Sequence, residues 1–282
     1  MGSAASWAVG AILFRKLGES LSPLAMTLAK GAVSVVLLGM AMVWSDFAGL
    51  DARSLVLLAV SGGVGIALGD TFFFQALRDL GPHLLVVLMM FGQVLTVGAA
   101  VVFLGERLSW SSACGIGLVV SGIGTVLFAK LSGERRPSHW RGVGFGLLSV
   151  VCMAVSVVVA KVGLKADPDT LPATFIRMLA GTVVLLVFGA TTRQMGQWVM
   201  PFRDRALARR FVVATCVVTF GGFWLSLVAI KHVEVLIANT LISVEPLFVL
   251  PLAAIFCKEK VTWPAVAGTV VAVIGVVFLC RG

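Results

Sequence analysis

Residues 103–124 read FLGERLSWSSACGIGLVVSGIG, and residues 256–277 read FCKEKVTWPAVAGTVVAVIGVV. The two stretches align without a gap when position 103 is placed on position 256. The identical pairs include Phe103 and Phe256, Glu106 and Glu259, Trp110 and Trp263, Gly115 and Gly268, and Gly122 and Gly275. Apolar sequences match one another easily by chance, but a glutamate and a tryptophan repeated at the same spacing do not. The chain therefore contains an internal duplication.

The composition of the chain excludes a soluble globular fold. Of its 282 residues, 59% are hydrophobic and 12% are charged, and the mean hydropathy is +1.06. Soluble domains carry about 25% charged residues, because water must wet their surface. The net charge of +9 comes from Lys and Arg residues that lie mostly between apolar runs. This placement indicates membrane topology and lipid headgroup contacts rather than nucleic-acid binding.

Apolar runs divide the chain into about ten predicted transmembrane helices, most of them near the length of about 20 residues that crosses the hydrocarbon. Lipid cannot hydrogen-bond unpaired backbone groups, and the runs do not alternate polar and apolar residues, so we expect helices rather than barrel strands. The predicted spans are residues 3–15, 23–44, 54–77, 83–104, 110–130, 142–164, 170–190, 208–230, 234–257 and 262–280. The predicted fold class is an all-α integral membrane protein.

The duplication divides these helices into two units of five. We place the first unit at residues 1–130, a connecting loop at 131–141 and the second unit at 142–282. Because five is odd, the second unit starts on the opposite side of the membrane, and the two units are inverted repeats. Many transporters contain inverted repeats, whose halves exchange conformations between inward-open and outward-open states. This link to transport is an analogy between architectures.

Four ionisable residues lie well inside predicted spans, away from the span ends, where a charge is costly and indicates a functional site. They are Lys30, Asp70, Arg177 and Glu245, two cations and two anions that can balance one another. For Asp70 and Glu245, a functional role and a structural ion pair are both open. For Lys30 and Arg177 we favour a supporting structural role, either in ion pairs or with side chains that reach the headgroups.

Glu245 is followed by Pro246, and Pro251 comes one turn later. Proline removes a backbone donor and disturbs a helix, so carbonyl groups become available beside a carboxylate. In the duplicated unit, Gln93 falls at the position of Pro246. Asn239 precedes Glu245 in the same predicted span. The candidate substrate-binding residues are therefore Asp70, Gln93, Asn239 and Glu245.

Enzyme motifs are missing from the sequence. It contains no HExxH, GxSxG or Walker A motif, and Gly69-Asp70 lacks the earlier glycine of an intramembrane GxGD motif. We expect neither a metal nor a cofactor. The turns before Trp110 and Trp263 contain Ser109 and Thr262, which are suited to cap the next helix, and the tryptophans are suited to the membrane interface.

The chain resembles the ten-helix branch of the drug/metabolite transporter superfamily, whose members have two EamA domains. The resemblance rests on FLGERLSW, on ISVEPLFVLPLAAIFCKEKVTWPAVAGTVVAVIG and on GDTFFFQALRDLGP, and it covers nearly the whole chain. It implies secondary transport of metabolites, often export of amino acids or related compounds. It also implies a central cavity lined by helices 1, 3, 4, 6, 8 and 9, which would include all four candidate substrate-binding residues.

The expected function is alternating-access transport of small metabolites, with proton coupling through Glu245 or Asp70. The alternative is a non-transporting membrane scaffold or complex subunit in which the charges are packing pairs. Expected partners are a small-molecule substrate, the lipid bilayer and protons, and the protein is a monomer or homodimer of a bacterial-type cell membrane. Lys and Arg are concentrated in odd-numbered loops, which favours both chain ends outside. The family resemblance implies that both ends are in the cytoplasm.

Overall fold

The computed structural model describes residues 2–42, 50–92, 94–95, 109–133, 137–164, 169–232, 244–258 and 261–279. Within these residues the secondary structure is entirely helical. The helices are α1 (Gly2–Leu17), α2 (Pro23–Ala41), α3 (Ala52–Leu80), α4 (Pro82–Met89), α5 (Trp110–Gly133), α6 (Pro137–Gly163), α7 (Thr170–Thr191), α8 (205–232), α9 (Glu245–Phe256) and α10 (Trp263–Leu279). They follow the order of the predicted spans.

Five of these helices are long and apolar enough to cross a membrane by length and composition. They are α2, α3, α6, α7 and the part of α8 at Arg205–Ala229. Three further apolar helices within the described residues are shorter, at Ala113–Ala129, Glu245–Phe256 and Trp263–Phe278. The exposed apolar side chains of α7, such as Val187 and Phe188, are suited to contact lipid. The number of membrane crossings stays a prediction.

Helix ends follow the local chemistry of the sequence. The Ser22 hydroxyl accepts a hydrogen bond from the Ala25 N–H at 3.2 Å, and Pro23 occupies the first turn of α2. Between α3 and α4, Gly81 adopts φ 84°, a conformation that strains any residue with a Cβ. Trp110 and Trp263 begin α5 and α10 and are 84% and 83% exposed, and their place at the membrane interface stays a prediction.

Two loops of the sequence contain more helix than we predicted. α5 extends to Gly133 and α6 begins at Pro137, so both helices enter the predicted loop 131–141. In the loop 191–207, a short helix at Met195–Val199 and a 3₁₀ turn at Met200–Arg203 follow α7. Trp198 of the short helix stacks on Phe188 of α7 with ring centroids 6.3 Å apart. Burying this indole against the end of α7 holds the segment in place.

α3 and α8 each contain a π-helical segment in the middle of the span. The α3 segment is Gly63–Gly69, and the α8 segment is Val217–Trp224. The alignment that pairs position 103 with position 256 places these two segments over one another, shifted by about one residue. Segments of π-helix are rare and often lie at functional sites, because they interrupt the regular hydrogen bonding of the helix.

α5 and α10 pack along one another through glycine. A Cβ added to Gly122 would lie 2.5 Å from the Gly268 carbonyl oxygen, and one added to Gly275 would lie 2.9 Å from the Gly115 carbonyl oxygen. In the duplication, Gly122 corresponds to Gly275 and Gly115 to Gly268. The contacts are therefore reciprocal, and the two helices run antiparallel, as two inverted units require. Small residues allow this close backbone approach in lipid.

The first helix of each unit packs on the third helix of the other. Ser149 of α6 donates to the Gly69 carbonyl of α3 at 2.9 Å, and Ser3 of α1 donates to the Gly222 carbonyl of α8 at 3.3 Å. Gly69 and Gly222 are equivalent positions in the duplication. Each serine thus satisfies a carbonyl in or beside a π segment, and the two units interlock through the same hydrogen bond made twice.

Candidate functional site

A buried ion pair joins α2 and α3. The Lys30 Nζ donates to the Asp70 carboxylate, and the two residues are 1% and 2% exposed. The Lys30 ammonium lies 4.4 Å from the centroid of the Phe223 ring and 5.6 Å from that of Phe74. A cation over an aromatic face is attracted by the ring quadrupole, most strongly when water is excluded. One acid and two aromatic faces therefore surround Lys30.

The glycine-rich sequence GGVGIALG before Asp70 permits the close packing around this pair. A Cβ at Gly62 would clash with the backbone of Arg177 in α7, and a Cβ at Gly65 would clash with Ser156 in α6. The Asp70 N–H donates to the Gly65 carbonyl, at the point where the π segment returns to α-helix. The segment of α3 that leads into Asp70 is thus closely packed against α6 and α7.

Arg177 lies beside the pair and is 8% exposed. Its guanidinium donates to the Ser156 hydroxyl at 3.1 Å, and its buried Nε has no hydrogen-bond partner in the described part of the chain. Ser156 also donates to the Ser61 carbonyl at 2.8 Å, while Ser61 donates to the Ser156 carbonyl at 2.8 Å. The charge of Arg177 interacts through space with that of Asp70.

Three of the four predicted intramembrane charges therefore form one group, which we call the ionic cluster: Lys30, Asp70 and Arg177. The group holds two cations and one anion. Burying a charge in a medium of low dielectric constant is strongly unfavourable unless the charge is paired and hydrogen-bonded. The cluster consequently has one positive charge more than its own carboxylate balances.

Glu245 lies apart from this group in its contacts. α9 begins at Glu245 with Pro246 in its first turn, so the residue is at the start of the described helix rather than in its middle. α9 packs on α1 and α4, and among the described residues no hydrogen bond or ion pair of the Glu245 side chain is found. The remaining candidates, Gln93 and Asn239, lie outside the described residues.

The cluster also contains residues that the sequence did not single out. Ser61 and Ser156 supply its hydroxyl groups, and Phe223 supplies the aromatic face nearest to Lys30. α2 and α8, which carry Lys30 and Phe223, are also joined by a hydrogen bond of 2.7 Å between the hydroxyls of Ser34 and Thr219. Serine and threonine within otherwise apolar spans are the signal for such positions, but the sequence contains many of them.

A small recess opens where the ends of α1 and α3 meet the start of α2. Arg15 and Arg78 line it together with Phe14 and Phe74. Arg15 donates to the Arg78 carbonyl at 2.6 Å and to the Leu77 carbonyl at 3.1 Å. Since Phe74 lines the recess and also faces the Lys30 ammonium, its ring lies between the recess and the ionic cluster.

Comparison with known proteins agrees with this architecture. The EamA-like transporter family matches residues 1–128 and 140–281. A crystal structure described only as that of a protein superposes with a TM-score of 0.64 at 16% sequence identity, covering 98% of this chain and 95% of the other. At this identity the likeness concerns the fold alone. A search of curated proteins found no match.

The family match spans nearly the whole chain in two segments, one for each unit of the duplication. Members of this family are membrane transporters rather than enzymes, which implies a small-molecule substrate and a lipid bilayer. The family match, the helical fold and the long apolar helices together identify an all-α integral membrane protein. The chain belongs to the EamA-like transporter family.

Proposed function

We propose that this protein is a secondary transporter that moves small metabolites, such as amino acids or related compounds, by alternating access. Two sets of reciprocal helix contacts support this proposal. α5 packs on α10, and the contact of α3 with α6 is repeated by that of α8 with α1. Two units related in this way have two equivalent ways to pack. Exchange between these packings would open the centre first to one side of the membrane and then to the other.

The single observation that carries the proposal is the ionic cluster buried between α2, α3 and α7. A buried ion pair stabilises a fold less than well-packed apolar residues of similar volume would, so its presence calls for another role. Its position beside the π segment of α3 supports a role in substrate translocation. Charges in the interior of a helical membrane protein commonly mark substrate or ion pathways.

Proton coupling is the second part of the proposal. Among the described residues, Asp70 lies inside α3 and Glu245 at the start of α9, while Asp79 at the end of α3 pairs with Arg141. Asp70 is engaged with Lys30, whereas Glu245 is half-buried at the start of α9. Glu245 is therefore the better candidate to bind and release a proton during the cycle.

We place the protein in a bacterial-type cell membrane, as a chain of about ten spans.

Flux into proteoliposomes tests the proposal. Purified protein is reconstituted and supplied with a panel of labelled amino acids, nucleosides, sugars and organic acids, with and without a pH gradient. Uptake of one class above that of protein-free vesicles, saturable and dependent on Asp70, is expected. Asp51→Asn is the matched control for Asp70→Asn, because Asp51 is an exposed helix cap and asparagine caps equally well. No flux of any compound by well-folded protein would refute the proposal.

A membrane scaffold is the competing function, and the closed geometry of the Lys30–Asp70 pair favours it. Both residues are almost completely buried and are bonded to one another, as a pure packing pair would be. In a scaffold, replacing both by apolar residues should restore the stability that single replacements remove. A stable double variant, together with a wild-type protein that transports nothing, would support the scaffold function.

A further inference from the structure

We propose that Arg177, together with Lys30, forms an anion-binding site that takes the carboxylate group of an organic substrate. The inference rests on the proposed transport function and adds the chemical class of the substrate. It starts from the charge of the ionic cluster. Lys30 and Asp70 neutralise each other in a direct ion pair, and among the described residues no carboxylate forms an ion pair with Arg177.

The hydrogen bonds of Arg177 lead to the same inference. A guanidinium offers five N–H donors in a planar fork that matches the two oxygens of a carboxylate. Among the described residues the guanidinium makes one hydrogen bond, to Ser156, and its buried Nε has no partner. A buried donor left unsatisfied is unfavourable, and more so when it is charged. An anion bound at the fork would remove this penalty and balance the charge of the cluster.

A purely structural role explains these features less well. Ser61 and Ser156 already connect α3 to α6, because each hydroxyl donates to the carbonyl of the other serine, and these two hydrogen bonds do not need the arginine. The Arg177 backbone contacts Gly62 whatever side chain the residue carries. An apolar side chain would hold α7 against α3 without burying a charge. The guanidinium is therefore surplus to the packing of these helices.

The surroundings of the cluster indicate an organic rather than an inorganic anion. Phe223 lies against Lys30, and its ring packs edge-on against Trp7 with centroids 4.6 Å apart. On the other side, Phe74 packs against Phe14 at 5.1 Å. Rings from α1, α3 and α8 therefore form apolar walls beside Lys30. A small molecule with a carboxylate and an apolar body matches this combination of groups.

The recess beneath Phe74 supports the same ligand class independently. Its two charged lining residues, Arg15 and Arg78, are both cationic, which favours the approach of anions. The Phe74 ring lines the recess and also lies 5.6 Å from the Lys30 ammonium. A displacement of this ring would connect a cationic vestibule with a cationic binding site. The cluster is closed to solvent in this structure, since all three of its members are at least nine-tenths buried.

Ligand binding by the purified protein tests the inference directly. The probes are 3-phenylpropanoate and hexanoate, their primary amides, and the amines of the same carbon skeletons. We expect the carboxylates to raise the melting temperature in a concentration-dependent way, since a ligand that binds only the folded state stabilises it. The amides and amines should not. Equal stabilisation by an acid and its amide would overturn the inference, as would stabilisation by inorganic phosphate alone.

Substitution of Arg177 tests the site. Arg177→Gln should weaken carboxylate binding by about 10- to 100-fold, the range expected for charge-assisted hydrogen bonds. The affinity of Arg177→Lys for carboxylates should lie between that of the wild-type protein and that of Arg177→Gln, because lysine keeps the charge but loses the planar fork. Arg210→Gln removes an exposed arginine of α8 and should leave binding unchanged. Unchanged affinity in a folded Arg177→Gln protein contradicts the proposed site.

The design separates this inference from the transport function. If Arg177→Gln does not fold, Arg177→Lys and the acid–amide comparison on the wild-type protein decide the question. Saturable flux of amines or neutral compounds, with no binding of carboxylates, would overturn the anion site and leave the transporter standing. No flux of any compound in the full panel would instead remove the transport function. Flux of carboxylates that Arg177→Gln abolishes and Arg210→Gln preserves would support both.

Discussion

Asp70 of α3 and Phe223 of α8 occupy equivalent positions in the duplicated units, and Lys30 lies against both. Lys30 donates to the Asp70 carboxylate on one side, and its ammonium lies 4.4 Å from the Phe223 ring centroid on the other. The backbone relationship between the units is nearly symmetric, because Gly69 and Gly222 just before them accept equivalent serine hydrogen bonds. The side chains break this symmetry by placing a carboxylate in one unit and a benzene ring in the other.

Replacing Asp70 alone should damage both stability and transport. Asp70→Asn leaves the Lys30 ammonium buried without its acid partner, at a cost of about 3–5 kcal/mol. The double variant Lys30→Met with Asp70→Leu should recover most of this stability, because no buried charge of the pair remains. Thermal unfolding in detergent measures the stability and proteoliposome flux the activity. If the double variant recovers stability and transports normally, the pair has no part in translocation.

Phe223 should contribute less than Asp70 to holding Lys30. Phe223→Leu keeps an apolar side chain but removes the aromatic face, and we expect a loss of about 1–2 kcal/mol from the cation–π interaction. Phe220→Leu, in the same π segment, removes a ring that packs on Trp224 rather than on Lys30. Comparing the unfolding temperatures of the two variants isolates the contribution from Lys30. Equal shifts would mean that only general packing is lost.

The glycine contacts between α5 and α10 offer a matched pair of substitutions. Gly122→Ala should destabilise the protein by about 1–3 kcal/mol through overpacking, because the new Cβ would meet backbone atoms of α10 that cannot move aside. Gly124→Ala adds the same methyl group to the same helix where nothing lies within 4 Å, so it should be neutral or slightly stabilising. Differential scanning fluorimetry compares the two. A smaller effect at Gly122 than at Gly124 would contradict the reciprocal packing.

Glu245→Gln tests proton coupling. The amide keeps the shape and polarity of the carboxyl group but cannot bind and release a proton. We expect normal expression and folding, with loss of the flux that a pH gradient drives. Exchange of labelled for unlabelled substrate without a gradient should persist, since it requires no net proton movement. The prediction fails if flux in the variant still follows the imposed pH gradient as in the wild-type protein.

The sequence predicted the elements of the fold with good accuracy, because each is encoded by local chemistry. The predicted spans 110–130 and 262–280 begin within one residue of the observed helix starts at Trp110 and Trp263. The prediction was less accurate in the loop 131–141, which both neighbouring helices enter. A polar stretch between two apolar spans favours a loop in a prediction, although polar residues can also continue a helix beyond its apolar part.

The candidate site was only partly accessible from the sequence. Asp70 was identified because a carboxylate inside an apolar span is conspicuous, and Lys30 and Arg177 were identified for the same reason. The sequence did not predict that these three residues form one cluster. It also did not predict that, among the described residues, Glu245 makes no contact with that cluster. Phe223 was not among the predicted site residues, and its position beside Lys30 depends on how α8 packs against α2.

What the sequence determined by itself is the duplication, the apolar helices and the few charges inside them. These properties depend on composition and on spacing along one chain. Only the tertiary structure decided that Lys30 meets Asp70, that the Arg177 guanidinium has one hydrogen bond, and that Gly122 faces Gly268. Such contacts join helices distant in the sequence, and their partners are set by how small residues let the helix backbones approach. No local pattern contains that information.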